Sequence, residues 1–340
     1  MDRYVAIHQE PNGPGDARTT AEQVLADEGL AGKWTGRVIL VTGASSGLGM
    51  ETARVLHKTG AKIFITSRQQ AKGDEVARII SSEDSSLAPV EAIEMPMDSF
   101  GSIHKAASVF LAKSPALDIL LLNAGVMAAP EGRTKDGFET HFGTNHLAHF
   151  LLFQLLKPAL LQASKPESHS RVVVLSSGAH KSDGIHPENY NLEGEYNPYM
   201  AYAQSKTANI YMANELNRRY GSQGINGLSV HPGVIFETGI ARHQGGADTL
   251  RENMAKERDD IRKWAKSIPQ GAATSVYAAI AKALEGKGGL YLEDCHVPKQ
   301  EAPGAVTYHQ GHAAHAYNQE LEGKLWQDSL RMVNISDDKA

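Results

Sequence analysis

Short apolar runs recur along the chain, separated by longer stretches in which apolar positions return every three or four residues. The runs are RVILVT (37–42), KIFIT (62–66), EAIEMPM (91–97), DILLLN (118–123), RVVVLS (171–176), NGLSVH (226–231) and GLYLE (289–293). Several are almost uninterrupted, as expected of parallel strands covered on both faces. Stretches of helical spacing lie between most of them, among them LGMETARVLHKTGA, SFGSIHKAASVFLAK and YAQSKTANIYMANELNRRYG. Strand–helix–strand repetition predicts an α/β fold, a doubly wound parallel sheet of about seven strands.

The pattern shows no internal repeat and no low-complexity linker, so residues 20–340 read as a single domain. Residues 1–19, with Pro11, Gly13, Pro14 and Gly15, read as a flexible tail. TAEQVLADEGL (20–30) predicts a short helix before the first strand. Two segments, 178–200 and 234–267, fit neither strand nor sheet-covering helix. Both follow strands at their C-terminal ends, where open α/β sheets bind ligands, and are expected to be substrate loops. The second carries the charged stretch LRENMAKERDDIRKW, which cannot be buried in a core, and is expected to form a movable lid over the cleft.

With 340 residues, 41% of them hydrophobic, the chain can bury a full core. Its net charge of −5 has Lys and Arg spread along the length, with no basic stripe for nucleic acid and no polybasic run for a membrane surface. The longest apolar candidate, 147–161, is interrupted by His149, Gln154, Lys157 and Pro158. It reads as a buried or interface helix, packed on the sheet or on another subunit of a homo-oligomer. The N-terminus has no secretory signal, and Cys295 is the single cysteine, so a reducing compartment and a cytoplasmic location are expected. HQGHAAH (309–315) spaces three histidines without a carboxylate or cysteine, so it reads as a solvated helix face and no metal is predicted.

The chemistry begins at the first strand, which ends in Thr42-Gly43-Ala44-Ser45-Ser46-Gly47-Leu48-Gly49 before a helical pattern. Glycines at a strand-to-helix junction let the backbone approach a pyrophosphate, and the helix presents free N–H groups to it. An NAD site usually has an acidic residue about twenty residues on, for the ribose 2′-hydroxyl. Here Ser67 stands near that point and Arg68 follows. An arginine there pairs with a 2′-phosphate, so the expected cofactor is NADP(H). Asp98 is placed to meet the adenine edge, and Asn123-Ala124-Gly125 supplies small residues where the nucleotide approaches the backbone.

Tyr202 and Lys206 are i and i+4 on one helix face. An ammonium lowers the pKa of a neighbouring phenol, which can then exchange a proton with an alkoxide or alcohol. Ser176 and Ser177 close the preceding strand on the ligand side, where a hydroxyl can hold a carbonyl oxygen. Physics alone does not separate the two.

TGASSGLG, NAG, VVVLSS, YAQSK and HPG, in this order over roughly residues 33–293, resemble the short-chain dehydrogenase/reductase family. The resemblance implies a single-domain Rossmann fold in which Tyr202 is the general acid/base and Lys206 lowers its pKa and binds the nicotinamide ribose. It implies that Ser177 orients the substrate, with Ser176 the fallback, and that Asn145 continues a water-borne proton relay from Lys206. It adds Pro232, Gly233 and Val234 to the cofactor contacts. The threonine that follows HPG in the family aligns with Glu237, with Thr238 one residue later. IPQGAATSVYAAI, GGLYLEDC and LEGKLWQDS resemble the retinol-dehydrogenase-like and WW-domain-oxidoreductase-like branch, as does the long stretch between Ser177 and Tyr202. The chain lacks an N-terminal anchor like that of the microsomal retinol enzymes, which argues against a retinoid role.

The reading that follows is an oxidoreductase moving a hydride between nicotinamide and a carbonyl or alcohol carbon of a small molecule. Polar residues in the two loops, His180, Lys181, Arg242 and His243, favour an oxygenated substrate such as a secondary-metabolite intermediate. A non-catalytic NADP(H)-sensing regulator on the same fold is the alternative. It would not need Asn145, Ser177, Tyr202 and Lys206 together. An epimerase or dehydratase would favour other glycine spacing and a larger C-terminal domain.

Overall fold

Alternation explains why the strand runs are apolar throughout. In β1 (Val38–Val41), Val38 and Leu40 enter one hydrophobic core while Ile39 and Val41 enter another on the opposite face. A strand buried on both sides has no polar face to show in its sequence. We describe residues 2–257, 260–302 and 311–337 of a computed structural model. The other strands are β2 (Lys62–Ser67), β3 (Glu91–Glu94), β4 (Ile119–Leu122), β5 (Ser170–Leu175), β6 (Ile225–His231) and β7 (Leu290–Glu293). All pair in parallel, in the order β3-β2-β1-β4-β5-β6-β7. The expected Rossmann architecture is therefore present. β3 stops short of the expected 97: Met95 N–H still reaches Ser67 O at 2.7 Å, but Pro96 has no N–H to continue the ladder.

Helices α1 (Ala21–Glu28), α2 (Gly47–His57), α3 (Gln70–Glu83) and α9 (Ile268–Ile280) cover one face. Helices α4 (Phe100–Lys113), α5 (Ala148–Ala163), α6 (Pro198–Tyr220) and α10 (Gln319–Met332) cover the other. The expected apolar helix is α5, and its covering comes from this chain. Phe150 and Phe153 meet Trp326 of α10 at ring-centroid distances of 4.8 and 6.0 Å. Among the described residues no helix is long and apolar enough to cross a membrane.

Segment 234–267 holds a 3-10 turn (Gly239–Gln244), α7 (Ala247–Glu257) and α8 (Ile261–Trp264). Phe236, Ile261 and Ala265 form a small core with Leu250 and Met254 that is separate from those of the sheet. The charged helix therefore buries its few apolar positions locally.

Two expectations are corrected. Residues 2–19 are not a loose tail: Arg18, 3% exposed, donates to the carbonyls of Gly13, Trp264 and Ala265 at 3.0, 2.9 and 2.5 Å. Asp16 holds the same guanidinium at 2.9 Å, and Tyr4 packs edge-on against Tyr277. The glycines and prolines shape turns against α8 and α9 instead of freeing the chain. The histidine segment is also not a solvated helix face. Ala314–Ala316 is a single 3-10 turn, and His315 Nε2 donates to His180 O at 2.7 Å, so His312 and His315 are half-buried. His309 lies outside the described residues. Among those described, no cluster of residues suited to a metal occurs.

Candidate active site

The sheet order reverses between β1 and β4, which opens a crevice beyond their C-terminal ends. The glycine turn lines it. Gly43 has φ +63°, and a Cβ there would lie 2.7 Å from Ala124 Cα. A Cβ on Gly49 would lie 2.5 Å from Asn123 Nδ2 and 2.6 Å from Gly43 O. These glycines let the turn press onto Asn123-Ala124, whose amide side chain ties back to Thr42 O at 2.8 Å. Ser46 is the N-cap of α2 with its side chain unused there, and Ser45 is half-buried beside it. The first-turn N–H groups of Gly47, Leu48 and Gly49 have no intrahelical partners. Free donors over a side-chain-free floor fit a pyrophosphate.

Arg68 lies exposed just past β2. Asp98 is exposed and pairs with Lys135 at 3.3 Å. Beyond β6, Pro232 and Val234 are half-buried, and Gly233, at φ +95°, passes so close to Lys266 that a Cβ would meet its Cδ at 2.8 Å. Thr238 lies against Gly47, its Cγ2 3.3 Å from where a Cβ would be, while Glu237 is exposed. The residue over the turn is thus Thr238 rather than Glu237.

α6 carries Tyr202 and Lys206. Asn197 caps it, accepting from Tyr199 N–H at 2.9 Å, and Pro198 occupies its first position. The serines separate cleanly. Ser176 donates to Lys206 O at 2.8 Å and is buried, whereas Ser177 is half-buried, lies by the Tyr202 hydroxyl and accepts from Ala179 N–H at 3.2 Å. Lys206 Nζ sits 5.6 Å from the Tyr202 ring centroid and donates to Leu175 O at 3.0 Å. Burial pushes this ammonium down to about 8. Burial also raises the Tyr202 phenol, with only the nearby Ser177 opposing it. The lowering of Tyr202 expected from Lys206 is therefore not seen in this state. The ammonium points to a carbonyl, and burial is the dominant influence on the phenol. Asn145, fully buried, lies within a π-helical turn (Phe142–Leu147). It accepts from Val126 N–H at 2.8 Å and donates to Val126 O and Ser205 Oγ at 3.0 and 2.9 Å.

Other participants were not visible as such in the sequence. Thr42 Oγ1 accepts from Asn123 and Ala124 N–H at 2.9 and 3.0 Å, so its own proton points to His149 Nε2 at 3.0 Å. That nitrogen must accept, which leaves Nδ1–H to donate to Asn145 O at 2.9 Å. Burial holds His149 down to about 3, so it stays neutral in this role. The signal was present: His149 is one helical turn after Asn145. A second pair lies beside Tyr202. His141 Nε2 accepts from Ala129 N–H at 3.0 Å and its Nδ1–H donates to buried Glu139 at 2.7 Å, with the His141 ring 6.2 Å from that of Tyr202. His180 and Lys181, by contrast, do not line the cleft as expected. His180 is buried against Ser177 O at 2.7 Å, and Lys181 pairs with Glu301 at 2.8 Å.

Comparison with known proteins follows the same lines. Residues 37–247 match the short chain dehydrogenase family. Oxidoreductase calI of Penicillium decumbens is 46% identical over 98% of both chains. The WW domain-containing oxidoreductase of Gallus gallus is 38% identical over 86% of this chain and 69% of its own. Among solved structures, an uncharacterized protein from Mycobacterium paratuberculosis superposes with a TM-score of 0.66 at 29% identity, over 89% of this chain and 95% of that one.

Proposed function

The chain belongs to the short-chain dehydrogenase family, and from that premise we propose an NADP(H)-dependent oxidoreductase that interconverts a carbonyl and an alcohol on a small oxygenated molecule. The observation that carries this reading is Lys206 Nζ 5.6 Å from the Tyr202 ring, with Ser177 beside that tyrosine and with Asn145 and Lys206 both bordering Gly125.

The glycine turn with Ser45 and Ser46, the N–H groups at the start of α2, Asn123 to Gly125, and Pro232 to Val234 with Thr238 would hold the cofactor, with Asp98 toward the adenine and Arg68 taking the 2′-phosphate. Bound NADP(H) supplies or accepts the hydride. The chain's own groups manage the oxygen and its proton. Ser177 holds the substrate oxygen beside the Tyr202 hydroxyl. The raised pKa keeps that hydroxyl protonated, the form that donates to a developing alkoxide. Lys206, charged at neutral pH with its pKa near 8, would bind the ribose and, with Asn145, return a proton to the phenolate. Lid segment 234–267 would select among substrates, because the cradle and the tyrosine are generic. Its exposed Arg242 and His243 favour oxygenated, polar groups and a place in secondary metabolism.

The test is NADPH consumption against a panel of ketones, aldehydes and quinones, with variants on any substrate found. Tyr202→Phe should lose at least ~100-fold in turnover with NADPH affinity nearly unchanged, and Lys206→Ala should damage both. Near-normal turnover in Tyr202→Phe would overturn the assignment. An inert wild type that still binds NADPH would favour the regulatory alternative.

A further inference from the structure

A residue other than glycine keeps a left-handed backbone only where its surroundings hold it there. Ala128 is such a residue, at φ +45°. It lies beyond β4, in the stretch that continues the Asn123-Ala124-Gly125 floor and is neither strand nor helix, so no ladder of its own fixes it. Side chains grip the backbone on both sides of it instead. Before it, Asn145 takes both the N–H and the carbonyl of Val126, at 2.8 and 3.0 Å. After it, Ala129 gives its N–H to His141 Nε2 at 3.0 Å, and its carbonyl accepts from the Tyr196 hydroxyl at 2.7 Å. The stretch begins beside Lys206, whose Nζ lies 3.7 Å from where a Cβ on Gly125 would be. It ends at His141, whose ring stands edge-on to that of Tyr202, centroids 6.2 Å apart. It therefore runs along the length of the Tyr202–Lys206 pair.

His141 is itself held. Glu139, 1% exposed, accepts the His141 backbone N–H and Nδ1–H on Oε1 at 2.8 and 2.7 Å, and Phe142 N–H on Oε2 at 2.7 Å. The Glu139 N–H in turn donates to Asn191 Oδ1 at 2.9 Å, in the same segment, 178–200, that supplies Tyr196. Both imidazole nitrogens are thus occupied: Nδ1 gives its proton to a carboxylate and Nε2 receives one from a peptide. His141 has neither a lone pair nor a proton left to exchange with Tyr202. A carboxylate, an imidazole and a peptide in line beside the reacting phenol fix a position and move no proton.

Resting on the role given to Tyr202 above, we propose that His141 is a positioning residue: through the Ala129 N–H it holds Val126–Ala129 as a fixed wall beside Tyr202, against which the substrate is set for reaction. Glu139 selects the tautomer that makes Nε2 an acceptor. The clasp keeps Ala128 in a conformation that it would leave if released, so the wall cannot yield to a substrate. Rigidity on this side serves turnover, because a small misplacement of the reacting atoms is costly.

The two bonds of His141 can be cut one at a time. In His141→Asn the amide N–H stands near the place of Nδ1 and keeps the Glu139 bond, while nothing reaches Ala129. In His141→Gln the amide oxygen stands near the place of Nε2 and keeps the Ala129 bond, while the Glu139 bond is lost. Three quantities are read: hydrogen exchange across 126–129 in the ligand-free protein, the urea midpoint, and turnover with NADPH on the ketone, aldehyde or quinone that the wild type reduces fastest. His141→Asn should speed exchange across 126–129 and lower kcat about tenfold, with NADPH affinity nearly unchanged. His141→Gln should restore most of both. Tyr196→Phe, which releases the Ala129 carbonyl without touching the buried pair, should also speed exchange and lower kcat; no change in either would overturn the wall. So would a kcat that merely follows the unfolding midpoints, with His141→Gln no better than His141→Asn. If Tyr202→Phe abolishes turnover while His141→Asn turns over like the wild type, the positioning role is refuted and the acid/base assignment stands. If Tyr202→Phe keeps near-normal turnover, or the wild type reduces nothing in the panel, that assignment fails and the inference with it.

Discussion

Replacing Thr42 by valine tests how the cofactor floor is tied to the proton-handling side of the crevice. The substitution keeps the shape and removes one hydroxyl, fully buried at the end of β1. That hydroxyl satisfies three groups at once: the N–H of Asn123 at 2.9 Å, the N–H of Ala124 at 3.0 Å and the ring nitrogen of His149 at 3.0 Å. Valine strands all three. A buried donor or acceptor without a partner costs roughly 1–3 kcal/mol, so the loss from three should total about 3–9 kcal/mol, reduced slightly by the better transfer of a methyl group. Against a domain stability of about 5–15 kcal/mol this is large. The assay is the midpoint of urea unfolding, with Thr42→Ser as control. Serine keeps the hydroxyl and loses a methyl, so it should cost about 1 kcal/mol. NADPH affinity should fall in Thr42→Val, since the Asn123–Ala124 floor loosens, and stay near normal in Thr42→Ser. A valine variant as stable as the serine variant would refute the reasoning, whatever its activity.

Lys206 gives a pH signature. Its folded-state pKa is near 8 against 10.5 for the free side chain, so between these values the unfolded chain binds more protons and stability rises with pH, by about 3 kcal/mol at most. Below pH 8 both states are protonated and the slope from this group vanishes. Lys206→Met should flatten the difference between stability curves recorded from pH 7 to 10, and an unchanged slope would show that burial does not act on Lys206 as described. Arg18→Met should lower the unfolding midpoint by the equivalent of about 3–5 kcal/mol, because it leaves Asp16 and several carbonyls without a partner; a change under 1 kcal/mol in urea unfolding would mean that the N-terminal segment is not held. Substitutions of exposed positions within 234–250 should shift the ranking of substrates while NADPH affinity stays fixed, as steady-state kinetics across the panel would reveal; specificity unmoved by several of them would refute the selective role of the lid.

The sheet was legible because its central strands are buried on both faces and so declare themselves by continuous apolar runs, whereas the edge strand β3 is only partly buried and leaves Glu94 exposed. The same logic located the crevice, since glycine turns and small residues sit where two backbones must touch. The N-terminal segment was not legible, because the partners of Arg18 are main-chain carbonyls 245–247 residues away, and a carbonyl leaves no trace in composition. Ser176 and Ser177 could not be ranked from sequence because both follow the last strand residue, Leu175; only the position of α6 shows that one hydroxyl meets Lys206 O and the other lies by Tyr202. The opposite misjudgement befell His180, whose polarity pointed to the cleft. It is spent instead on Ser177 O and Ala313 N–H.

The clasp of Arg18 on residues 263–265 has a mechanical consequence. A strip attached equally at both ends can only bow outward, and its centre moves most. This strip is pinned at Trp264 and Ala265, with Lys266 further fixed to Asp294 and, through its N–H, to Val234 O at 2.8 Å. Between these fixed points, Gly239, Gly245 and Gly246 bond only to residues of their own stretch among the described residues. Were the segment to move, it would pivot on the bonds at 264–266, with the greatest travel near Arg242 and little at α8. Molecules entering the crevice would pass on the glycine side, and those too bulky to let that edge return would be turned away there rather than at the tyrosine.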